Sequence, residues 1–427
     1  MAGHCAAAPR RWLRHGGPIK TEKMKRLATT LFLLLALGQG LAAQDDGFRL
    51  TWHGMVNPVL WGETRDGVSG REGMMYFYPK PVVRDAQGND INGTPTLNML
   101  AITARLNLTI QGPDVLGAKM KGFIEGDFTG SNETTINCFR LRHAYLDMRW
   151  NHDELLAGQY WYPMVVHEIM PNTQPLNMGA PFHPYARYSQ VRYTRHQGHW
   201  EAMGAASFQL DNKSQGPAGG STAYLKRSCV PEMTFQFRYN DLAEGLFFGA
   251  AYNLLAIRPD GDHPVLVNHT FSLFARYDCP CGWSVRAQTL LNNNLYEGCT
   301  MGGYYYAHPF TGILLPGTAS VEEGYHAWHF NTVWLDISKT RGRWRPGVFM
   351  GYGYNDSEKE IREACAILDI YGRGMELRTL WRVQPHLTYA AGNGLSFTAE
   401  MEYTCADYTM LGKADNLRLI LSGCYAF

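Results

Sequence analysis

Apolar and polar residues alternate along most of this chain with a period of two. Leu100, Ile102, Ala104, Leu106, Leu108 and Ile110 share one parity, and Thr103, Arg105, Asn107, Thr109 and Gln111 share the other. Met233, Phe235, Phe237 and Tyr239 oppose Thr234, Gln236, Arg238 and Asn240. Phe271, Leu273, Ala275 and Tyr277 oppose Ser272 and Arg276, and Trp283, Val285, Ala287 and Leu291 oppose Ser284, Arg286, Gln288 and Asn292. Leu377, Trp381, Val383, Leu387 and Tyr389 oppose Arg378, Arg382, Gln384 and His386, while Phe397, Ala399, Met401 and Tyr403 oppose Glu400 and Glu402. Successive side chains of a strand point to opposite faces, so this period predicts strands. Segments 137–150 and 244–257 give no clean parity, and their inward faces stay open.

The pattern divides into sixteen strands: 48–57, 97–111, 116–130, 137–150, 153–162, 185–195, 198–210, 232–241, 244–257, 268–278, 281–292, 324–338, 342–355, 376–390, 394–405 and 415–427. Tight connections fall at Pro113-Asp114, Asn151-His152, His196-Gln197, Leu242-Ala243, Pro280, Thr340-Arg341 and Gly392-Asn393. Longer ones fall at 58–96, 131–136, 163–184, 211–231, 258–267, 293–323, 356–375 and 406–414, and the two kinds alternate. A sandwich has no reason to segregate loop length by side. An antiparallel transmembrane barrel with short periplasmic turns and long extracellular loops does. Charged groups are costly in hydrocarbon, so the polar parity faces a wet lumen and the aromatic parity faces lipid or a neighbouring subunit. A small soluble barrel would show the inverse. The fold class is therefore all-β, a barrel wide enough at sixteen strands for an aqueous channel.

Composition agrees. The chain has 24 Tyr, 19 Phe, 11 Trp and 45 Gly, and no long apolar run after residue 37. That excludes a bundle of membrane helices but not a barrel, whose alternation hides its lipid face. From Met24 the sequence MKRLATTLFLLLALGQGLAAQ has a basic start, a short apolar run and a small-residue cleavage site before Gln44. This is a secretory signal peptide over 24–43. Residues 1–23 are basic and irregular, which places the translational start at Met24 and a single barrel domain over 44–427. That domain carries 32 basic and 37 acidic residues, a net charge of −5. Nucleic-acid binding is not indicated.

An exported chain can hold disulfides. Eight cysteines follow residue 43, and their pairing is not deducible. Cys279-Pro280-Cys281 departs from the CxxC spacing and reads as structural or free thiols rather than metal or redox chemistry. No nucleotide fingerprint and no zinc spacing is present, so neither cofactor nor metal is expected. Gly351-Tyr352-Gly353 sits in strand context and relieves crowding in a curved sheet.

The predicted lumen leans basic. Arg105, Arg192, Arg238, Arg276, Arg286, Arg378, Arg382 and Arg418 fall on inward positions, against the acids Glu125, Asp127, Glu400 and Glu402. Other acids fall in loops, among them Glu322, Glu323, Asp356, Glu358, Glu360 and Glu363. A guanidinium stays charged and forks onto carboxylate or phosphate, so a ring of them selects anions. The alternative is that Arg and Glu pair into neutral ladders across the wall. The connection 163–184, PMVVHEIMPNTQPLNMGAPFHP, is unusually apolar for an outer loop and needs somewhere to pack. His167 and Glu168 are its chemical candidates; the alternative is a surface or subunit-contact loop.

Two stretches resemble known families. The ending DNLRLILSGCYAF puts Leu417, Leu419, Leu421, Tyr425 and the terminal Phe427 on one parity. It resembles the last strand of bacterial outer-membrane barrels, where a final Phe is the usual assembly signal. KGFIEGDFTGS, FRLRHAYLDMRW, LLAGQYWYP and YARYSQVRYT, within residues 121–195, resemble the DcaP-like and phosphate-selective porin-type barrels of Gram-negative outer membranes. The matching positions are Glu125, Asp127 and Phe128; Arg140, Arg142, His143, Ala144 and Tyr145; Gly158, Gln159 and Trp161; and Arg192 and Tyr193. The close resemblance covers about a fifth of the chain. It implies outer-membrane lipid as surroundings, a homotrimer, passive diffusion of small hydrophilic solutes and a preference for anions such as dicarboxylates. In general porins the third loop narrows the channel, and 163–184 holds that place. DcaP-type proteins carry a coiled-coil segment before the barrel; only a few residues separate Gln44 from the first strand here, a departure that bears on the trimer.

Two other readings compete. An adhesin or structural barrel would act through loops 58–96 and 293–323, the latter with Tyr304-Tyr305-Tyr306. An outer-membrane enzyme would need a nucleophile–base–acid set, and no GxSxG appears.

Overall fold

In hydrocarbon every strand N–H and C=O needs a partner, and only a closed sheet supplies them all. The chain forms such a sheet, a sixteen-strand antiparallel barrel, in a computed structural model that describes residues 47–174, 176, 178–308, 321–359 and 367–427. The barrel unit is Arg49–Phe427. Its strands are β1 (Arg49–Val56, continued by Val59–Glu63), β2 (Thr96–Leu100, continued by Arg105–Val115), β3 (Ala118–Asp127), β4 (Arg140–Arg149), β5 (Asp153–Trp161) and β6 (Arg187–Gln197). There follow β7 (Trp200–Phe208), β8 (Glu232–Asp241), β9 (Leu246–Ile257), β10 (Leu266–Asp278) and β11 (Trp283–Leu291). The last five are β12 (Phe330–Lys339), β13 (Trp344–Asn355), β14 (Leu377–Gly392), β15 (Leu395–Tyr408) and β16 (Gly412–Ala426). The signal peptide and start site read from the sequence lie outside the described residues, as do Glu360, Glu363 and Cys365.

Each strand pairs with its chain neighbours, and β1 also pairs with β16: Met55 faces Ala426, Val59 faces Ser422 and Glu63 faces Arg418. The carboxy-terminal residue takes part in this closure. Gly54 N–H donates to the Phe427 carbonyl at 2.9 Å, and Phe427 N–H donates back at 3.0 Å. A side chain at Gly54 would collide with the Phe427 ring, since a Cβ there lies 2.6 Å from it.

Short and long connections mostly alternate as the sequence predicts, but the first tight turn is Leu116-Gly117 rather than Pro113-Asp114, which continue β2; it and Asn393-Gly394 are two-residue turns, all four residues at positive φ. That geometry matches the twist of a hairpin. Three further expectations need correction. The last connection is only Thr409–Leu411, because β15 and β16 keep alternating past the expected ends; Ala406, Tyr408 and Ala414 are buried. The expected strand 324–338 is two elements. Gly324–Trp328 joins Gly302–Ala307 and Leu368–Arg373 in a separate loop sheet, and β12 starts at Phe330. The first connection begins at 64, since β1 resumes after Pro58.

The two faces carry the inverse of a soluble protein. Leu106, Phe235, Phe237, Leu273, Val285, Leu387, Phe397 and Leu419 are exposed, while Thr234, Asn253, Ser272, Asp336, Gln384, Glu402 and Asn416 are buried. The two segments without clean parity have separate causes. In β4 a bulge inserts Arg142: Glu125 faces His143, Gly126 faces Leu141, and Arg142 and His143 are both buried. β9 alternates as far as Leu255, but its inward residues Phe247 and Ala251 are apolar, and Leu255, Ala256 and Ile257 are all buried at its end.

Candidate functional site

The connection after β5, loop 3 (162–186), explains those apolar inward residues. Met164, Val165, Val166, Ile169 and Phe182 are buried in one cluster with Phe247, Phe274, Leu290, Trp334 and Phe349 of β9–β13. Removing this surface from water is what draws the segment inside. Gly351 makes room for it, since a Cβ there would lie 2.5 Å from the Phe182 ring.

A segment inside a barrel has no strand beside it, so side chains must satisfy its backbone. Donors on the wall take its carbonyls: Gln236 to Pro163 at 2.7 Å, Arg276 to Glu168 at 2.7 Å, Arg286 to Met170 at 2.9 Å and Arg382 to Ala180 at 2.7 Å. Carboxylates take its amides: Asn172 N–H donates to Asp336 at 3.1 Å and Gln174 N–H to Glu400 at 3.0 Å. His183 Nδ1 lies 2.9 Å from the Gln288 side-chain oxygen, and its ring packs on Trp334. Burial holds this imidazole neutral, with its pKa pushed down to about 4.

A second insertion was not read from the sequence. Loop 1 (64–95) carries a hairpin, Gly67–Gly70 with Met75–Pro79, whose residues Met74 to Tyr78 are buried. Arg382 donates to the Phe77 carbonyl at 2.8 Å, Arg418 to Gly73 at 2.7 Å and Tyr408 to Pro79 at 2.6 Å. The signal was present: Met74-Met75-Tyr76-Phe77-Tyr78-Pro79 is as apolar as loop 3. Arg382 thus bonds to both inserted loops at once.

The expected site residues divide by environment. Arg382 and Arg418 face inward but are sealed from solvent, beside Glu402 and, for Arg418, Glu63 at 3.1 Å. They fasten loops rather than line a water path. Arg378 is a correction: a bulge between Leu377 and Thr379 turns it out, half-exposed, toward Asp407 at 3.7 Å. Arg192, Arg238, Arg276 and Arg286 are half-buried on the turn side of loop 3. Arg238 pairs with Glu201 and, at 3.4 Å, with Glu168; Arg276 pairs with Asp278 at 2.6 Å. Among the described residues no carboxylate lies within ion-pair distance of Arg192 or Arg286. Arg192 donates to the Trp161 carbonyl at 2.9 Å and lies over the Tyr160 ring. His167 is exposed.

On the loop side of loop 3 stands a second basic group. Arg142 bridges Glu125 at 2.6 Å and Asp127 at 2.7 Å, and Arg140 pairs with Asp127 at 2.8 Å. Arg105 faces Asp127 across the ladder. Arg187, missed from the sequence, stacks on Trp161 with 4.1 Å to the ring centre and donates to the Tyr185 hydroxyl at 2.9 Å. Burial would raise the Tyr185 phenol, but Arg187, Arg142 and Arg140 outweigh it and bring its pKa to about 7. Above this group opens a cavity of about 430 Å³, lined by Arg71, Arg140, Lys213, Arg373, Tyr185 and Glu297 among others.

No family model matches the sequence, and no curated protein matches it. Solved structures do match. The outer-membrane channel DcaP of Acinetobacter baumannii is 16% identical, covering 90% of this chain and 99% of that one, with a TM-score of 0.64. An anion-selective porin from Comamonas acidovorans is 10% identical over 89% of this chain and 100% of its own, TM-score 0.56. Salmonella typhi OmpF is 10% identical over 90% and 99%, TM-score 0.54. The chain therefore has the fold of the outer-membrane porins and channels.

Proposed function

We propose that this barrel is an outer-membrane porin through which small anionic solutes diffuse passively, catalysing no reaction. The observation that carries the reading is the basic row Arg192, Arg238, Arg276 and Arg286 on β6, β8, β10 and β11; Arg192 and Arg286 have no carboxylate within ion-pair distance among the described residues, with Asp336 opposite Arg286 in the ladder. With the group around Arg142 and Arg187, it places positive charge on both sides of loop 3, the segment that would narrow the channel. Fixed charge lining a narrow aqueous path raises the local concentration of the opposite ion. Many of the inward acids are spent: Glu125, Asp127, Glu201 and Glu402 pair with arginines, and Asp336 and Glu400 accept loop amides. On this reading neutral ladders and a basic row coexist in one wall. An exported, trimeric assembly belongs to the same reading.

Refolded protein in a planar bilayer tests it. Open steps with an anion-selective reversal potential in a salt gradient are expected, in groups of three for a trimer. Cation selectivity, or silence from folded protein, overturns the anion porin.

A further inference from the structure

The turn between β10 and β11, Cys279-Pro280-Cys281-Gly282, holds a disulfide between Cys279 and Cys281. It lies among the short turns, the side that the porin reading puts in the periplasm. The bond has little to stabilise. A disulfide acts mainly by closing a loop in the unfolded chain, and one with a single residue between its cysteines closes the least. The hairpin is already closed without it: Cys279 N–H donates to the Trp283 carbonyl at 2.7 Å and Gly282 N–H to the Cys279 carbonyl at 2.9 Å. The next turn is fastened as well, with Thr340 N–H donating to the Gly282 carbonyl at 2.8 Å.

Its surroundings favour exchange. Cys281 and Pro280 are exposed and Cys279 half-exposed, so a sulfur can be attacked from solvent. Pro280 fixes the backbone between the cysteines, which keeps the reduced thiols adjacent. The next turn carries cations, with Lys339 paired across from Trp283, the Arg341 stem over Gly282 and Arg343 in the same turn, while the preceding turn, joined by the Asp278 N–H to the Gly245 carbonyl at 2.7 Å, carries Glu244. The adjoining acid, Asp278, is held by Arg276 at 2.6 Å. Positive charge favours thiolates and draws in anionic thiols.

We propose that Cys279–Cys281 is a redox-exchangeable site that oxidises small anionic thiols on the periplasmic face. A thiolate attacks one sulfur of the pair; the Cys279–Cys281 bond breaks, a mixed disulfide forms and the other cysteine leaves as a thiolate. A second thiol attacks the mixed disulfide and leaves as the oxidised dimer. Two thiols lose two electrons, the pair gains them, and the two protons of the incoming thiols end on Cys279 and Cys281.

The test uses the refolded full-length barrel in detergent with reduced glutathione, followed by maleimide trapping and peptide mass analysis. Maleimide at the 279–281 peptide should rise about tenfold over untreated protein. Cys281→Ser, treated with oxidised glutathione, should accumulate the mixed disulfide at Cys279. The double variant C279S/C281S should retain the heat-resistant migration of a folded barrel and lose exchange at this peptide. A pair that stays closed in excess glutathione, two free thiols in the oxidised protein, or a double variant that no longer folds would each overturn the proposal, the last by making the bond structural.

Discussion

Arg382 on β14 and Arg286 on β11 both leave the inner face of one sheet, yet one is sealed and the other half-open. Arg382 spends its donors on the Ala180 and Phe77 carbonyls and on the Thr404 hydroxyl, beside Glu402 at 3.7 Å. Arg286 donates to a single loop carbonyl, that of Met170. Both have the same parity and the same chemistry, and the difference lies in what the loops place over them. A buried cation with its donors filled fixes structure, whereas a half-exposed cation without a carboxylate partner still acts on ions in water.

The comparison breaks most sharply at Arg382. Arg382→Ala leaves two loop carbonyls without this donor and removes a cation from beside buried Glu402. Glu402 keeps Arg418 at 3.5 Å, so the cost should fall somewhat below that of a fully stranded buried charge, about 3–5 kcal/mol. Loops 1 and 3 should become cleavable by protease while the barrel persists, and the current should grow noisier. Unchanged protection of both loops would show that Arg382 is not the clamp.

Acid should loosen loop 3 through His183. Its pKa falls from 6.5 to about 4 in the seated loop, and its close partners, Gln288 and Trp334, are neutral. Between those pH values the released loop binds a proton that the seated loop refuses. The seat is therefore at full strength above about pH 6.5, weakens as pH falls and levels off below about 4, losing at most about 3 kcal/mol. Gating that rises over this window, and is absent in His183→Gln, is the expected result. A window unchanged in the variant would assign the titration elsewhere.

Gly351→Val tests the apolar half of the same seat. Its Cβ would lie 2.5 Å from the Phe182 ring, an overpacking worth about 1–3 kcal/mol. Adding Phe182→Ala should restore loop protection, because the clash goes with the ring. Failure of that rescue would mean the strand itself is damaged.

Strand count, closure and the wet inner face were legible because hydrocarbon and water impose opposite requirements on alternate residues of each strand. The wet lumen hid more. Parity shows that Arg382, Arg286 and Arg418 point inward, but not which of them a loop covers. Arg378 was misplaced by one extra residue, since a bulge reverses parity without changing composition. Arg142 shows the converse, a bulge that brings two neighbouring residues inward and blurs a real strand. The loop 1 hairpin has an apolar run that matches that of loop 3, but strand alternation marks only where a connection begins and ends, not whether it turns inward.

The gentlest substitution bears on the half-open arginines. Arg192→Gln with Arg286→Gln removes two charges that have no carboxylate within ion-pair distance among the described residues, although buried Asp336, opposite Arg286 in the ladder, loses a favourable neighbour. Glutamine is shorter, and the Trp161 and Met170 carbonyls would lose a charged donor, a small effect at half-exposed positions. Stability should fall by about 1 kcal/mol, chiefly at Asp336, while the reversal potential should shift away from anions, most at low salt, where screening is weakest. An equal shift at high and low salt would point to a change in channel width. An unmoved reversal potential with intact loops would shift the source of the field to the loop-side group of Arg140, Arg142 and Arg187, and the basic row would then join Arg382 as scaffolding for loop 3.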